Sequence, residues 1–556
     1  MHPADDPRLT LGHFLRDVAA RHGARRALVF EGSALSYAGL EAEVQRLARA
    51  LLGAGVVKGA RVALLLSSRP EWIAAAFAVG RLGGVLVPVN TFATREELDH
   101  ILRHSDASLL LLQPALLKHR FLDELLLSYP ELESGRAGRL RCPALPQLRR
   151  IFCLGLPAPR GGVETWEALL AEGRDVPDAL VDAASAEVVP SDDACIIYTS
   201  GSTALPKAVL HSQRAAALQS YRYVDFLRLE PDDVIYTTYP FFWTAGMAMS
   251  IGGAFAAGAC LIVEESFDPA RALATIERER ATVLHAWPHQ HRALAEQPGA
   301  SERDLSSLRK LDFASPVAAL AGLEKDLYGY GCSYGLSETF TLATATPADA
   351  PAELRKSCHG QVLPDTLIRI VDPETGAPLP PGEEGEIIVK GATFMRGYYK
   401  LPPERYLDEN GFFHTQDGGF FDAQGFLHWS GRLSNVIKTG GANVSPIEIE
   451  RALDKLEGLK AGVVVGIPHP TLGELLVLCA VPQEGASLGE DEVRRFLRGK
   501  LAAYKVPRRV LFFRAEELSL TANQKIQVAP LREAAQRRLA AEGALIEGHR
   551  YGPPAG

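Results

Sequence analysis

The segment CIIYTSGSTALPK, residues 195–207, places hydroxyl residues, a glycine and a lysine directly after an apolar run. Such residues after a strand expose backbone N–H groups and side-chain donors, which are the groups that bind phosphate anions. A Walker loop requires a glycine immediately before its lysine, whereas Pro206 precedes Lys207 here. The segment therefore predicts a phosphate-binding loop outside the Walker class of kinases and ATPases. The alternative is a common Ser/Thr/Gly turn followed by a solvated lysine.

The composition excludes some classes of partner. The chain has 556 residues, of which 47% are hydrophobic and 23% charged, and its formal net charge is -8. This length predicts at least two domains, because about 100–200 residues are typical of one. The acidic balance gives no electrostatic footprint for nucleic acid.

Cysteine usage and hydropathy predict a cytoplasmic protein without a transmembrane segment. The cysteines are scattered, with no C-x-x-C pair, which is typical of reduced, buried thiols; they are Cys142, Cys153, Cys195, Cys260, Cys332, Cys358 and Cys479. The N-terminal MHPADDPRLT lacks the basic and apolar regions of a signal peptide. The longest apolar window, residues 251–263, is too short to span a bilayer of about 30 Å as a helix.

Short apolar strands alternate with amphipathic helices over residues 1–120, which predicts a doubly wound parallel sheet with helices on both faces. The helix predicted after Ser36, its N-cap, has one apolar face. This face consists of Leu40, Val44, Leu47, Ala48 and Leu51.

Two later segments differ from this pattern. Turn signals between short strands over residues 364–430 predict a β-rich subdomain. After Gly431 a smaller α+β unit is expected, whose first helix would begin with Ser445 as N-cap, Pro446 in the first turn and Glu448 completing a capping box. We therefore predict an α/β chain with a large N-terminal domain over residues 1–432, a C-terminal domain over 433–545 and a tail over 546–556.

Several motifs in order resemble those of the adenylate-forming superfamily, in particular its acyl-CoA synthetases. They are YTSGSTALPK, SYGLSETF, FHTQDGGFFDAQGFLHWSGRLSNVIKTGGANVSPIEIE and LSLTANQKI, and the resemblance covers roughly residues 10–540. It implies that a carboxylate attacks the α-phosphate of ATP to give acyl-AMP and pyrophosphate, and that the acyl group then passes to the thiol of CoA. It also implies a mobile C-terminal domain that rotates between the two steps.

The resemblance assigns substrate-binding roles to individual residues. Those expected to bind ATP are Thr199, Ser200, Gly201, Ser202, Thr203 and Lys207 at the phosphates, Ala314, Ser315 and Pro316 beside adenine, Tyr334, Gly335 and Ser337 in the next motif, and Asp417 at the ribose. Those with other roles are Glu338 and Thr199 as Mg²⁺ ligands, Lys525 as the catalytic lysine, Arg432 before the hinge, Gly440 and Gly441 beside the pantetheine arm of CoA, and Trp243 beside the acyl tunnel. Cations and donors are needed there because two anions must approach each other.

Several of these residues have an equally simple structural interpretation. Those with such an alternative are Lys207 as a solvated surface lysine, Glu338 as a cap of the next helix, Asp417 as a turn residue, Arg432 as an ion-pair partner, Trp243 as a core residue, and Gly440 and Gly441 as a hairpin turn.

The chain also departs from the family pattern. Residues that replace a family glycine are Ala204, Ala208, Gln416 and Gln524, while Ser337 replaces a threonine and Ser434 occupies the hinge position. Where the glycine has a positive φ, alanine costs about 1–2 kcal/mol. These departures motivate one alternative, a nucleotide-binding relative without catalysis, although the charged groups that the chemistry needs are present.

The acid and the acceptor are less constrained. Apolar and small residues in HAWPHQH and GYGCSYG suggest a hydrophobic acid, first a medium- or long-chain fatty acid and second an aromatic or alicyclic acid. CoA is the expected acceptor; the alternative is the phosphopantetheine of an acyl carrier protein.

Overall fold

The computed structural model describes residues 6–199, 206–433, 437–439, 442–501, 503–520 and 526–552. The chain forms two compact units, of which the first consists of Met1–Ile368 and Val389–Phe413 and the second of Arg369–Ile388 and His414–Gly556. The boundary predicted after Arg432 falls inside the second unit and stays a prediction.

An eight-stranded sheet lies at the centre of the first unit, counted over the described residues. Its strands in spatial order are Gly397–Tyr398, Lys207–Ser212, Asp193–Thr199, Val85–Pro88, Arg61–Leu65, Leu109–Leu112, Arg150–Cys153 and Val163–Thr165. The last six run parallel to one another, and the first two are each antiparallel to their inner neighbour.

Both faces of this sheet are buried. Within one strand, Val62 and Leu64 pack into one hydrophobic core while Ala63 and Leu65 pack into another. Side chains alternate between the faces of a strand, so helices must cover the sheet on both sides. The predicted doubly wound α/β architecture is confirmed.

A second, five-stranded sheet belongs to the same unit. Its strands in spatial order are Val283–His285, Val234–Thr237, Cys260–Val263, Arg26–Phe30 and Ser33–Ser36. All are parallel except the last, which forms an antiparallel hairpin with its neighbour.

The first unit also contains helices. They are Leu11–His22, Tyr37–Gly53, Pro70–Arg81, Arg95–His104, Phe121–Ser128, Pro130–Ser134, Trp166–Glu172, Asp178–Ala186, Gln213–Leu227, Gly253–Ala257, Pro269–Glu279, Pro288–Ala295, Pro316–Leu320 and Ala352–Ser357, with a π-helix at Ala245–Gly252. The helix predicted after Ser36 begins at Tyr37; the Ser36 side chain accepts a hydrogen bond from the Gly39 N–H, and the predicted apolar face is buried.

Two short sheets follow in the chain, and the second of them confirms the β-rich segment predicted over residues 364–430. The first consists of Ser333–Tyr334, Thr344–Ala345 and Gln361–Val362, and the second of Thr366–Val371, Gly385–Gly391, Phe413–Phe421 and Leu427–Arg432.

The second unit has its own sheet. Its strands are Ala442–Val444, Ile437–Thr439, Gly473–Pro482 and Leu459–His469 in spatial order, with Arg509–Phe512 paired to the third, and a hairpin of Leu545–Ile546 and His549–Arg550 lies near the end. Its helices are Pro446–Leu453, Glu490–Arg498 and Val528–Ala541.

The capping box expected at the first helix of this unit is wrong. Pro446 does occupy the first turn, but the Ser445 side chain makes no capping hydrogen bond and donates instead to the Ser430 carbonyl. Glu448 forms an ion pair with Lys505 at 2.6 Å. These partners, distant in sequence, compete for the two side chains that a local motif would have used.

Two whole-chain expectations concern membranes and thiols. Among the described residues, no helix combines the length and the apolar character needed to cross a membrane. All seven cysteines are buried and unbridged.

Candidate active site

The two strands that hold the ends of the predicted phosphate loop are neighbours in the eight-stranded sheet. Asp193–Thr199 leads into the loop and Lys207–Ser212 leads out of it, and Thr199 pairs with Lys207 across the antiparallel ladder. The loop residues between them, including Ser200, Gly201, Ser202, Thr203 and Ala204, lie outside the described residues. The sheet therefore fixes both ends of the loop.

Ala208 lies in regular strand structure. It pairs with Tyr198, its carbonyl accepts a hydrogen bond from the Tyr399 N–H at 2.8 Å, and it is not among the residues with positive φ. Alanine at this position therefore adds no backbone strain, although the family has glycine.

The segment that contains Glu338 forms a tight turn, and this turn requires glycine at position 335. Strand Ser333–Tyr334 is followed by a 3₁₀ turn at Ser337–Thr339. A Cβ atom on Gly335 would lie 1.7 Å from the carbonyl oxygen of Thr341. Gly335 is therefore needed here because any side chain would clash with the backbone of Thr341.

The two residues after this turn have a strained backbone, which a buried side chain stabilises through hydrogen bonds. Phe340 and Thr341 have φ values of 50° and 89°. The buried side-chain amide of Gln219 lies 2.8–3.1 Å from the carbonyl oxygens of Thr339, Phe340 and Leu342. Strained residues persist where the surroundings over-determine them, and such residues cluster at functional sites.

His211 fixes the same turn from the loop strand. Its Nε2 lies 2.7 Å from the Ser337 carbonyl oxygen, which can only accept, so Nε2 donates. Burial lowers the pKa of His211 to about 4, so its imidazole is neutral near pH 7. Sequence reasoning missed His211 and Gln219, because a polar residue on a buried strand or helix carries no local signal of its partner.

Glu338 and Lys207 meet at one tyrosine. The Tyr398 hydroxyl donates to Glu338 Oε1 at 2.6 Å, and Lys207 Nζ lies 5.2 Å from the centroid of the Tyr398 ring. Within the described ranges, no backbone N–H donates to the Glu338 carboxylate as a cap would require, while Lys207 is exposed and its solvated alternative stays open. The structure brings a predicted metal ligand and a predicted phosphate-binding lysine together.

The predicted adenine segment begins a short helix. The Ser315 side chain accepts a hydrogen bond from the Val317 N–H and lies 2.8 Å from His291 Nδ1, while Pro316 occupies the first turn. Ala314 is exposed, and its N–H donates to Asp312 Oδ1 at 3.1 Å. The segment is thus held by side chains at both ends.

Trp243 is half-buried in an aromatic cluster directly before the π-helix. Its ring centroid lies 4.9 Å from that of Phe242, 6.3 Å from Phe92 and 6.5 Å from Trp287. Phe92 is 41% exposed, so the cluster reaches the surface. π-helical turns are frequent at functional sites.

In the second unit, Asp417 and Arg432 pair across two adjacent strands. Arg432 Nε lies 2.9 Å from Asp417 Oδ1, and Arg432 Nη1 donates to the Thr415 carbonyl. Asp417 is only 2% exposed. The ion pair proposed as an alternative for Arg432 is present. Gly440, Gly441 and Lys525 lie outside the described residues.

Gln416 adopts the left-handed conformation that its family glycine would favour, with φ of 61°. Its N–H and its Nε2 both donate to Glu386 Oε1, at 2.9 and 3.1 Å. Left-handed backbone costs a non-glycine residue about 1–2 kcal/mol, which these hydrogen bonds offset in part.

We expect Gly335→Ala to lower the free energy of unfolding by more than about 3 kcal/mol, because its Cβ meets a backbone carbonyl that the turn cannot move. Urea unfolding followed by circular dichroism measures the change. Gly331→Ala is the matched control, since the nearest atom to its Cβ lies 3.9 Å away. Equal stability of the two variants would contradict the close approach.

At most positions an alanine variant is more stable than a glycine variant, and at Gln416 we expect the reverse. Gln416→Gly and Gln416→Ala lose the same side-chain hydrogen bond, so their difference isolates backbone strain, and we expect the glycine variant to be more stable by about 1 kcal/mol. At Leu367, an exposed strand residue without positive φ, alanine should be the more stable of the two. The same order at both positions in urea unfolding would rule out strain at Gln416.

Two family models and several known proteins match this chain. The model of the AMP-binding enzyme family matches residues 15–399, and that of the AMP-binding enzyme C-terminal domain matches residues 448–525. An indoleacetate–CoA ligase of Aromatoleum aromaticum is 31% identical, over 95% of this chain and 99% of its own. A feruloyl-CoA synthase of an Amycolatopsis species is 32% identical, over 91% of this chain and 94% of its own.

A solved structure extends the likeness to the fold. The crystal structure of ATP-bound MatB from Rhodopseudomonas palustris shares 28% sequence identity, covers 94% of this chain and 98% of its own, and superposes with a TM-score of 0.77. Since the family model spans well over half of the residues, the chain belongs to the AMP-binding enzyme family.

Proposed function

We propose that the protein is an acid–thiol ligase that converts a hydrophobic carboxylic acid to its acyl-AMP with release of pyrophosphate and then transfers the acyl group to CoA. The observation that carries this proposal is the contact of Tyr398 with both Glu338 and Lys207, in a chain of the AMP-binding enzyme family. The family, and the names of relatives that are CoA ligases, support the reaction class.

Mg²⁺ bound to ATP would offset the charge of the phosphates, and the site fits it. Among the described residues no group of three or more His, Cys, Asp or Glu side chains could hold a metal alone. Mg²⁺ usually takes one or two carboxylates and completes its shell with phosphates and water. Glu338 and the hydroxyl of Thr199, the two ligands predicted from the sequence, would form such a partial set.

The other proposed roles are those that the resemblance to the family implies, and the charges of the residues suit them. Lys207 and the loop backbone would bind the β- and γ-phosphates, and Lys525 would place a cation between the acid carboxylate and the α-phosphate. Asp417, held by Arg432, would accept hydrogen bonds from the ribose hydroxyls. A hinge near Leu433 would allow the C-terminal domain, residues 433–545, to move Lys525 away before the thiol attacks.

The acid is proposed to carry an aromatic or alicyclic ring. The aromatic side chains of Phe92, Phe242 and Trp287 surround Trp243, the residue predicted to lie beside the acyl tunnel. The names of two relatives specify indoleacetate and ferulate, which are aromatic acids. This favours the second of the two acids considered from the sequence; linear fatty acids are the comparison in the test.

The reaction is tested by mixing protein, Mg·ATP and a panel of aromatic, alicyclic and fatty acids with and without CoA. We expect AMP, pyrophosphate and acyl-CoA, with kcat/KM for the best ring acid at least about tenfold above that for any fatty acid, which corresponds to about 1.4 kcal/mol. Pyrophosphate without acyl-CoA would favour loading of a carrier protein. No AMP with any acid would favour a relative without catalysis and overturn the proposal.

The roles of Lys525 are tested separately. We expect Lys525→Ala to lower adenylation by at least about 10²–10³-fold, as for loss of one preorganised donor, but to leave thioester formation from synthetic acyl-AMP within about threefold. Lys500→Ala, in the same unit, is the control. Equal loss of both half-reactions would contradict the movement of Lys525 between the steps.

A cytoplasmic location is also proposed. It is supported by the buried, unbridged state of all seven cysteines, since disulfides are rare where glutathione keeps thiols reduced.

A further inference from the structure

We propose that Tyr398 is a positioning residue, which holds the carboxylate of Glu338 so that one oxygen is left to bind the Mg²⁺ of Mg·ATP. The proposal rests on the proposed function, because it assumes that Glu338 is a metal ligand. It adds a residue outside the two motifs from which the metal site was predicted.

The segment Met395–Tyr398 holds Glu338 at both its main chain and its side chain. The Met395 N–H donates to the Glu338 carbonyl at 2.7 Å, and the Tyr398 hydroxyl donates to Glu338 Oε1 at 2.6 Å. Tyr398 is 6% exposed, so this charge-assisted hydrogen bond is shielded from water.

The position of Tyr398 places its ring beside the phosphate loop. Strand Gly397–Tyr398 is the edge strand of the eight-stranded sheet, and Tyr398 pairs with Val209, two residues beyond Lys207. The Lys207 ammonium lies over the ring, a cation–π contact worth about 0.5–1 kcal/mol where it is exposed. One side chain therefore contacts both the phosphate-binding lysine and the metal-binding carboxylate.

The ring of Tyr398 is itself fixed by its neighbours. The Tyr406 ring lies edge-on at 4.8 Å, the Tyr406 hydroxyl accepts a hydrogen bond from the Tyr398 N–H, and the Phe413 ring lies at 6.2 Å. Gly397, with φ of 153°, leaves room for Tyr406, because a Cβ there would meet the Tyr406 hydroxyl. The phenol therefore has a preset direction before ATP binds.

This geometry predicts a defined effect on the metal. A phenol that donates to Oε1 leaves Oε2, to which no described group donates a hydrogen bond, as the oxygen that would bind the metal. Groups that hydrogen-bond a metal ligand orient it, and their loss typically costs about 10–100-fold in metal affinity.

The test compares Tyr398→Phe with Tyr399→Phe. Tyr398→Phe removes only the hydroxyl and keeps the ring beneath Lys207. Tyr399→Phe is the matched control, since the next residue in the chain also donates its hydroxyl to a carboxylate, Asp106 Oδ2, at 2.8 Å. Mn²⁺ serves as the probe metal, and its binding to protein saturated with α,β-methylene-ATP is titrated by electron paramagnetic resonance.

We expect Tyr398→Phe to weaken Mn²⁺ binding in this complex about 10–100-fold and Tyr399→Phe to change it less than twofold. With active enzyme, the Mg²⁺ concentration for half-maximal AMP formation should rise by a similar factor. Adding Tyr398→Phe to Glu338→Gln should cause no further loss of Mn²⁺ affinity, because the hydroxyl acts through that carboxylate.

Unchanged Mn²⁺ affinity in Tyr398→Phe, equal losses in the two tyrosine variants, or an additive double variant would each overturn the proposal. Thermal unfolding separates these outcomes from simple destabilisation, since a structural role would lower the melting temperature without changing Mn²⁺ affinity. The metal titration needs no turnover, so failure of the proposed reaction with every acid would leave this test interpretable.

Discussion

Burial of the parallel sheet on both faces is the constraint on which the rest of the first unit depends. Strands such as Arg61–Leu65 and Leu109–Leu112 send alternate side chains into two separate cores, so neither face can be exposed to water without a large hydrophobic cost. Strand Asp193–Thr199 joins the same parallel array, and Lys207–Ser212 turns back beside it. The loop that we propose to bind the phosphates is therefore anchored at both ends on strands of this buried sheet.

The conformation of the Glu338 turn is stabilised by buried side chains of the first unit. Two consecutive residues with left-handed backbone cost about 1–2 kcal/mol each, and the turn persists because Gln219 and His211 bind its carbonyl oxygens from a neighbouring helix and strand. Both side chains are buried, so an unmade hydrogen bond there would be expensive. The strained backbone of the turn is thus stabilised by two buried side chains, His211 and Gln219.

The departures from the family pattern argue against loss of catalysis where the structure describes them. Ala208 costs no strain, Ser337 keeps its hydroxyl, and Gln416 compensates part of its strain through Glu386. The charged groups Lys207 and Glu338 keep organised partners. Ala204, Gln524 and Ser434 lie outside the described residues.

The sequence by itself determined what depends on local period and residue type. The short apolar runs, the helical face after Ser36, the β-rich turns and the motif glycines each reflect short-range geometry, and the doubly wound class follows from the alternation of strands with helices. The expected capping box at Ser445 failed because its two side chains found distant partners. A motif predicted from local sequence therefore forms only where tertiary contacts do not compete for its side chains.

The tertiary structure alone decided which side chains position the site. Tyr398 lies 60 residues from Glu338 and the Gln219 amide binds carbonyls about 120 residues away, separations at which spacing carries no information. The sheet places Gly397–Tyr398 beside Lys207–Ser212, the strand whose His211 binds the Glu338 turn, and Gln219 lies on the helix that follows this strand. The sequence predicted the groups that would bind ATP, and the packing of the sheet decided what holds the described ones, such as Lys207 and Glu338, in place.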